Sequence, residues 1–303
     1  MRVTQSVLEI LTACNFNCSY CRDDSGAKRM LRFEEIARIV DSFKELGIMK
    51  VQLDGGEPFL HPDIFAVIDH IVESGLLPGC YTNASMIDAS MAARLASYPD
   101  LKLAVTLHPL NDAREIEGTF RGIGHLHDHG IHPNLILVVS SGMLAVLTST
   151  VSRLPKAKYR LVLNPLVPSG RAYDNKIQSL NREEMECYRT AIAELDRDYP
   201  LLEIVDNVAT PADEAGRIER IQLNDESEFA LHINTNGDVL PFFSASPEAA
   251  IGNINNLPAL KHTLSDPKTH MYLQMSKQAM SNRIAKPLAS NNRRILREEI
   301  LQG

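Results

Sequence analysis

Three observations along the first two thirds of the sequence predict an α/β protein with a parallel sheet. Short apolar runs typical of buried strands recur, segments with apolar residues at helical spacing lie between them, and Gly47, Gly75 and Gly130 end three of these segments. Repeated strand–helix units imply parallel strands joined by right-handed crossovers. Such a sheet can be open or curled into a barrel, and periodicity alone does not decide between them. In both cases functional residues are expected at the C-terminal ends of strands.

Each element follows from a local pattern. The run VLEIL at 7–11 is the first predicted strand, and it ends at a loop rich in cysteine. The segment 33–46 has apolar residues at helical spacing, and the run KVQL at 50–53 is the second strand. The same patterns predict further helices at 63–73, 90–97, 115–129 and 144–154, and further strands at 79–82, 101–107, 134–139 and 159–164.

After about residue 175 the alternation is expected to stop. The segment 182–199 has the pattern of a charged amphipathic helix, and the runs at 229–233 and 239–242 flank an Asn-Gly pair typical of a β-hairpin. The segment 268–303 is basic. We therefore expect two domains: residues 1–225 with the parallel sheet, and residues 226–303 as a small C-terminal α+β extension with a basic helical tail.

Composition excludes several function classes. The chain has 303 residues and a formal net charge of −7, which argues against a general nucleic-acid binder because phosphate neutralisation needs clustered positive charge. No apolar run is long enough for a membrane helix, and the first residues lack the charged-then-apolar pattern of a signal peptide. The sequence therefore predicts a cytoplasmic protein with no membrane partner.

Cysteine usage points to one concentrated thiolate site. Cys14, Cys18 and Cys21 fall in a single C-x3-C-x2-C loop, whereas Cys80 and Cys187 are isolated. An odd count in a chain of this size does not suit a disulfide framework. Structural zinc and iron–sulfur clusters both normally take four protein ligands, so three cysteines on one loop leave one iron of a cluster open to a small molecule.

Two polar turns follow neighbouring predicted strands. The turn Gly55-Gly56-Glu57-Pro58 follows the second strand, where two glycines would let the backbone approach a ligand and the glutamate would supply an anionic acceptor. The pair Thr82-Asn83 follows the third strand. With the cysteine loop after the first strand, these segments are expected at the same end of the sheet.

The cysteine motif together with the GGEP turn resembles the radical S-adenosylmethionine (radical SAM) superfamily over roughly residues 5–225. The resemblance implies a partial (β/α)6 TIM-like barrel that holds a 4Fe–4S cluster at its C-terminal face. It implies that Cys14, Cys18 and Cys21 ligate three irons and that S-adenosylmethionine (SAM) chelates the fourth. It also implies an electron donor such as flavodoxin or ferredoxin as a partner.

The same resemblance assigns cofactor-binding residues. The GGEP segment matches the motif that receives the methionine amino group, and Tyr20 matches an aromatic position near the adenine. Thr82-Asn83 resembles a Thr-Asn-Gly segment of the family, with Ala84 in place of glycine. The implied cofactor-binding set is Tyr20, Gly55, Gly56, Glu57, Pro58, Thr82, Asn83, Thr106 and His108. Arg171, after the sixth strand, could grip an anionic group of the cofactor or substrate.

The C-terminal part resembles a SPASM or twitch extension without its metal ligands. In that subgroup the hairpin is followed by Pro-Cys, whereas here Pro241 precedes Phe242 and Phe243, and no cysteine follows Cys187. Since an auxiliary cluster needs three or four ligands, we expect a single cluster. A redox-neutral outcome such as epimerisation, elimination or rearrangement is then favoured, and Cys80 and Cys187 are the candidate thiol hydrogen donors.

The sequence therefore predicts a radical SAM enzyme that abstracts hydrogen from a small metabolite, sugar or nucleoside in a biosynthetic pathway. One alternative is a maturase of a ribosomally made peptide, with a short peptide as substrate. The other is a non-catalytic module that binds a metal cluster or zinc, against which the GGEP turn argues because a structural metal site needs no SAM receptor.

Overall fold

The computed structural model describes residues 2–21, 28–166, 169–208, 228–240 and 249–274. The strands, in chain order, are β1 (Arg2–Leu11), β2 (Lys50–Gly55), β3 (Leu77–Thr82), β4 (Lys102–Leu107), β5 (Asn134–Val139), β6 (Tyr159–Pro165), β7 (Leu202–Asp206), β8 (Glu228–Ile233), β9 (Asp238–Leu240) and β10 (Gly252–Asn253). The α-helices are α1 (Phe33–Glu45), α2 (Ile64–Glu73), α3 (Ala89–Leu95), α4 (Ala113–Asp128), α5 (Leu144–Ser152), α6 (Arg171–Asp174), α7 (Arg182–Asp198) and α8 (Leu257–Ser265). A short 3-10 helix spans Pro58–Leu60.

The chain divides into two compact units. The first unit comprises Met1–Ala13, Ala27–Pro78 and Leu223–Gly303, and the second comprises Cys14–Gly26 and Gly79–Gln222. The domain boundary predicted at residue 225, the Pro241-Phe242-Phe243 segment and the basic tail beyond residue 274 lie outside the described residues. Among the residues that the structure does describe, no helix is long and apolar enough to cross a membrane.

The first unit is built on a sheet in the order β10-β9-β8-β1-β2. β1 runs parallel to both β2 and β8, and β9 runs antiparallel to β8 and β10. The hairpin expected around the Asn-Gly pair is confirmed as β8 and β9, and Gly237 takes a φ of 81° in its turn. Helices α1 and α2 pack together and bury apolar residues at helical spacing, among them Ile36, Val40 and Phe43 of α1.

The second unit is built on a parallel sheet in the order β3-β4-β5-β6-β7. The predicted strands and helices of this region are confirmed to within two residues at most ends. The expectation that the alternation stops after residue 175 is wrong, because β7 follows α7 and pairs in parallel with β6. The sequence does not predict β7 because the charged residue Glu203 interrupts its apolar pattern. In the structure Glu203 lies opposite Arg160 of β6 and forms a surface ion pair with it at 3.1 Å.

Tyr188 ties α7 to β7 through a buried hydrogen bond. Its hydroxyl donates to Asp206 Oδ1 at 2.7 Å, and the side chain is fully buried. Burial and the Asp206 charge raise the pKa of Tyr188 well above its ordinary range. Tyr159, at the start of β6, is also buried, but its hydroxyl has no hydrogen-bond partner among the described residues.

We expect Tyr188→Phe to lower the free energy of unfolding by about 1–3 kcal/mol, because Asp206 then loses a buried donor. Tyr159→Phe is the matched control and should be neutral or slightly stabilising. The unfolded chain ionises Tyr188 near pH ~10 whereas the folded chain does not, so stability should fall as pH rises above ~10, and less steeply in Tyr188→Phe. Urea denaturation of the three proteins from pH 7 to 11 measures both effects; equal losses in the two variants would contradict the assignment.

Candidate functional site

The cysteine loop begins three residues after β1 ends and belongs to the second unit. Cys18 is buried, Cys21 is half-buried and Cys14 is exposed, and all three are free thiols. The loop folds back on itself, since the Phe16 amide donates to Cys14 Sγ at 3.4 Å and the Cys21 amide donates to the Cys18 carbonyl at 3.2 Å. The three sulfurs are therefore presented by one short turn of chain.

The beginning of the cysteine loop is fixed by the segment after β3. Asn83 Nδ2 donates to Asn15 Oδ1 at 2.9 Å, and Asn15 Nδ2 donates to Ser85 Oγ at 2.8 Å. Asn83 Oδ1 in turn accepts from the Ser85 hydroxyl at 2.6 Å. These bonds close a ring of three polar side chains beside Cys14. Asn83, expected to bind the cofactor, therefore holds the residue next to a candidate ligand.

The middle of the loop is fixed by the segment around the start of α4. Asn111 Nδ2 donates to Cys18 Sγ at 3.1 Å and to Glu115 Oε2 at 2.7 Å. The other oxygen of Glu115 accepts from the Asn17 amide at 3.1 Å. The Glu115 carboxylate therefore orients both the loop backbone and the amide that contacts the Cys18 sulfur. Outer hydrogen bonds of this kind set the position and electronic character of metal ligands.

The end of the loop is fixed by α6. The Arg171 amide donates to the Cys21 carbonyl at 2.9 Å, and the Arg171 guanidinium bonds to Asn17 Oδ1 and to the Cys21 side chain. Asn175 adds a bond to the Ser19 carbonyl at 2.8 Å. Arg171 was expected to grip an anionic ligand, and its guanidinium contacts the cysteine loop itself.

His108, directly after β4, lies against the same loop. Its Nδ1 is 2.6 Å from the Tyr20 hydroxyl and 3.3 Å from Cys18 Sγ, and Phe16 meets the imidazole edge-on. Burial lowers the pKa of His108 to about 4, so the ring is neutral at pH 7. Thr106 lies two residues earlier on β4 and is half-buried. The structure thus brings Tyr20, His108 and Cys18 together.

The donor set of the loop fits an iron–sulfur cluster. Burial raises the pKa of the Cys18 thiol to about 12, partly offset by the Asn111 hydrogen bond. A buried thiolate needs a positive partner, and iron provides one. Three sulfurs on one turn, with an amide donor at one and a guanidinium at another, suit a cluster held by three thiolates.

The GGEP turn belongs to the first unit and continues the pairing of β1 with β2. The Gly56 amide donates to the Leu11 carbonyl and the Glu57 amide to the Ala13 carbonyl, both at 2.9 Å. Gly55 has a φ of 134°, and a Cβ there would lie 2.1 Å from the Leu11 carbonyl oxygen; a Cβ on Gly56 would lie 2.0 Å from the Ala13 carbonyl oxygen. The sequence predicts that the two glycines let the backbone approach a ligand. In the structure they allow the close approach of the backbone of Leu11 and Ala13.

Glu57 is fully buried and begins the 3-10 helix that follows. Its Oε1 accepts from the Phe59 amide at 3.1 Å, and Pro58 is buried beside it. A buried carboxyl oxygen that accepts from a backbone amide is an acceptor with a fixed direction.

The Thr-Asn-Ala segment adopts the backbone that the glycine of the family pattern would favour. Ala84 has a φ of 61°, and Thr82 Oγ1 accepts from the Ala84 amide at 2.9 Å. Gly122 of α4 lies so close that a Cβ on it would be 1.9 Å from the Ala84 carbonyl oxygen. Ala84 therefore adopts the left-handed conformation although it is not a glycine, and α4 packs against its carbonyl group.

The two isolated cysteines occupy different environments. Cys80 is fully buried on β3, with its thiol 3.5 Å from the Tyr81 carbonyl. Cys187 is exposed on α7. Their assignment as hydrogen donors stays a prediction.

Sequence reasoning missed four polar residues that hold the cysteine loop, namely Asn15, Asn111, Glu115 and Asn175. Their partners in this network lie between 68 and 156 residues away along the chain, so the sequence does not show the contacts themselves. Asn111 lies in the loop between β4 and α4, and Glu115 lies in the first turn of α4; their place after the C-terminal end of a parallel strand is the signal that could have found them.

Comparison with known proteins finds similarity over the region that contains the cysteine loop. The sequence profile of the Radical SAM superfamily matches residues 8–156. GTP 3′,8-cyclase from Tolumonas auensis is 41% identical over 71 residues, covering 22% of this chain and 21% of the cyclase. Mycofactocin maturase MftC from Mycolicibacterium smegmatis is 24% identical over 202 residues, covering 62% of this chain and 52% of MftC. The chain thus spans about a fifth of the cyclase and about half of MftC.

A solved structure shares the fold along nearly the whole chain. Native anSMEcpe with bound AdoMet and peptide superposes with a TM-score of 0.69 at 15% identity, covering 99% of this chain and 96% of anSMEcpe. The predicted α/β class with a parallel sheet is therefore confirmed. Proteins of the superfamily use a 4Fe–4S cluster and SAM. The sequence therefore carries a radical SAM domain at residues 8–156.

Proposed function

We propose that this chain is a radical SAM enzyme acting on a small metabolite, sugar or nucleoside in a biosynthetic pathway. The observation that carries the proposal is the cysteine loop, whose three sulfurs lie on one turn fixed at its beginning, middle and end by Asn83, Asn111 and Arg171. A loop restrained at three points holds its ligands in one geometry, which a redox cluster requires.

Cys14, Cys18 and Cys21 would hold the cluster, and Gly55, Gly56 and Glu57 would receive the methionine amino group of SAM. Bound together, cluster and SAM would supply the one-electron cleavage of SAM, with a flavodoxin or ferredoxin as the proposed electron donor. Glu57 offers a buried carboxylate that is already oriented by the Phe59 amide. Tyr20 and His108 would pack beside the cofactor on the side of Cys18.

We assign Arg171 a positioning role rather than direct cofactor binding, because its guanidinium reaches the cysteine loop. Arg171→Ala should increase the rate of iron loss to a chelator by about 10–100-fold, the range for residues that orient metal ligands. Arg160→Ala, which removes a surface ion pair with Glu203, is the matched control. Iron release followed at the cluster absorption band measures the difference. Equal rates in the two variants would exclude this role for Arg171.

A redox-neutral reaction is favoured because the sequence supplies no ligand set for a second cluster. If the outcome is epimerisation, a thiol must return a hydrogen atom to the substrate. Cys80 is the better donor candidate by position, since it lies on β3 two residues before Thr82. Cys80→Ser should then abolish deuterium incorporation into product in D2O, with Cys187→Ser as the control.

The alternative proposal is a maturase of a ribosomally made peptide. MftC, whose similarity covers 62% of this chain, carries the name maturase, and the structural neighbour anSMEcpe was solved with a peptide. GTP 3′,8-cyclase by its name acts on a nucleotide, which favours the small-molecule proposal.

The test is deuterium transfer. The chain is reconstituted anaerobically with iron and sulfide, reduced, and given SAM with deuterated candidate metabolites, nucleosides or short peptides. Deuterium in 5′-deoxyadenosine identifies the substrate class, and transfer only from peptides would favour the maturase. A chain with intact cysteines that binds no iron, or that binds iron and leaves SAM uncleaved, would refute the proposed activity.

A further inference from the structure

Three neighbouring strands of the first unit bring together two carboxylates and an imidazole away from the cysteine loop. Glu9 lies on β1, Asp54 on β2 and His232 on β8. In the strand register Glu9 is directly opposite Asp54, and His232 is opposite Val7, two residues before Glu9 on the same face. The sheet itself therefore places the three side chains side by side.

The three groups lie close enough together to bind one metal ion. One ligand atom from each residue lies within 4.8 Å of the other two, and His232 Nε2 lies 3.1 Å from Glu9 Oε1. Ligand atoms about 2.0–2.2 Å from a common ion would be spaced within this limit. His232 is buried, with 3% of its side chain exposed, and Glu9 and Asp54 are half-buried, with 18% of the Glu9 side chain exposed.

The imidazole gives an independent sign that a ligand belongs here. Neither nitrogen of His232 makes a hydrogen bond to any described residue, although the ring is buried. The close Glu9 oxygen is within reach of Nε2 but off the direction in which a ring N–H would donate. Buried polar atoms are nearly always satisfied, so the imidazole of His232 calls for a partner that the described residues do not supply.

We propose that Glu9, Asp54 and His232 bind a divalent first-row metal ion. Two carboxylate oxygens and one imidazole nitrogen form a hard-to-borderline donor set that suits Mn²⁺, Fe²⁺ or Zn²⁺. A cation there would offset two carboxylates in a poorly hydrated place and would occupy the imidazole lone pair. Three protein ligands leave coordination positions for water or for an oxygen atom of a bound ligand. This inference stands apart from the proposed function, because it uses no residue of the cysteine loop.

The probe is Mn²⁺ alone, added to the full chain with its cluster reconstituted. Mn²⁺ prefers oxygen and nitrogen ligands to thiolates, so the cysteine loop should not compete for it. Free Mn²⁺ is followed by EPR, and we expect one saturable equivalent together with a higher melting temperature of the protein. Asp54→Asn and Glu9→Gln, which keep side-chain volume, should each weaken Mn²⁺ binding at least about 10-fold. Glu45→Gln is the control, since that carboxylate pairs with Lys261 on the surface.

Mn²⁺ binding and the thermal shift are measured first on the unmodified chain. The proposal can therefore be tested even if a variant is unstable. No saturable Mn²⁺ binding and no thermal shift in that chain would overturn the proposal. So would Mn²⁺ binding of equal strength in Asp54→Asn, Glu9→Gln and Glu45→Gln. A rise in melting temperature with methylammonium but not with Mn²⁺ would identify a site for organic cations, if Asp54→Asn abolished that rise. This result would also overturn the proposal.

Discussion

Cys18→Ser should remove stable iron binding and reduce 5′-deoxyadenosine formation by at least about 10³-fold, equivalent to about 4 kcal/mol. Cys18 is the buried sulfur of the loop, and it receives the Asn111 amide at 3.1 Å and faces His108 at 3.3 Å. Serine keeps the shape of this residue but not a thiolate, so the cluster would retain two protein sulfurs. Iron content per chain and SAM cleavage, both measured after anaerobic reconstitution, report the loss.

Cys187→Ser is the matched control, because it also exchanges a thiol for a hydroxyl but does so on the exposed face of α7. It should retain the iron content of the unmodified chain. Comparable iron in the two variants would mean that the C-x3-C-x2-C loop does not hold the cluster. Far-UV circular dichroism of both variants separates loss of iron from loss of the fold.

The parallel sheet could be predicted because it is encoded in short stretches. Runs such as NLILVV predict β5 with its observed bounds, and glycines mark the ends of α1, α2 and α4. The partners of β8 could not be predicted in this way. Its hairpin with β9 is local and was predicted, but its parallel pairing with β1 depends on residues far apart along the chain.

The candidate site likewise contains residues that local sequence predicts and residues that only distant contacts bring to the site. The three cysteines and the GGEP turn are contiguous motifs, so sequence reasoning found them. The side chains that fix the loop are distant: Asn111 reaches Cys18 across 93 residues, and Glu115 reaches Asn17 across 98. Glu9 and His232 left a weaker signal, since each is a single polar residue inside an apolar run, and only the strand register shows that they meet.

Gly56→Ala should destabilise the protein by about 3 kcal/mol, at the upper end of the usual cost of overpacking. The added Cβ would lie 2.0 Å from the Ala13 carbonyl oxygen and 2.8 Å from the Thr12 carbonyl oxygen. Both contacts are with backbone, which cannot rotate away as a side chain can. The shift needed to relieve them would break the bond from the Glu57 amide to the Ala13 carbonyl.

Gly124→Ala on α4 is the control, because it makes the same chemical change where nothing lies within 4 Å of the added Cβ. It should stabilise the protein by up to about 1 kcal/mol through the higher helix propensity of alanine. Urea denaturation of both variants should therefore shift in opposite directions. A Gly56→Ala protein as stable as the unmodified chain would show that the backbone of Thr12 and Ala13 can move.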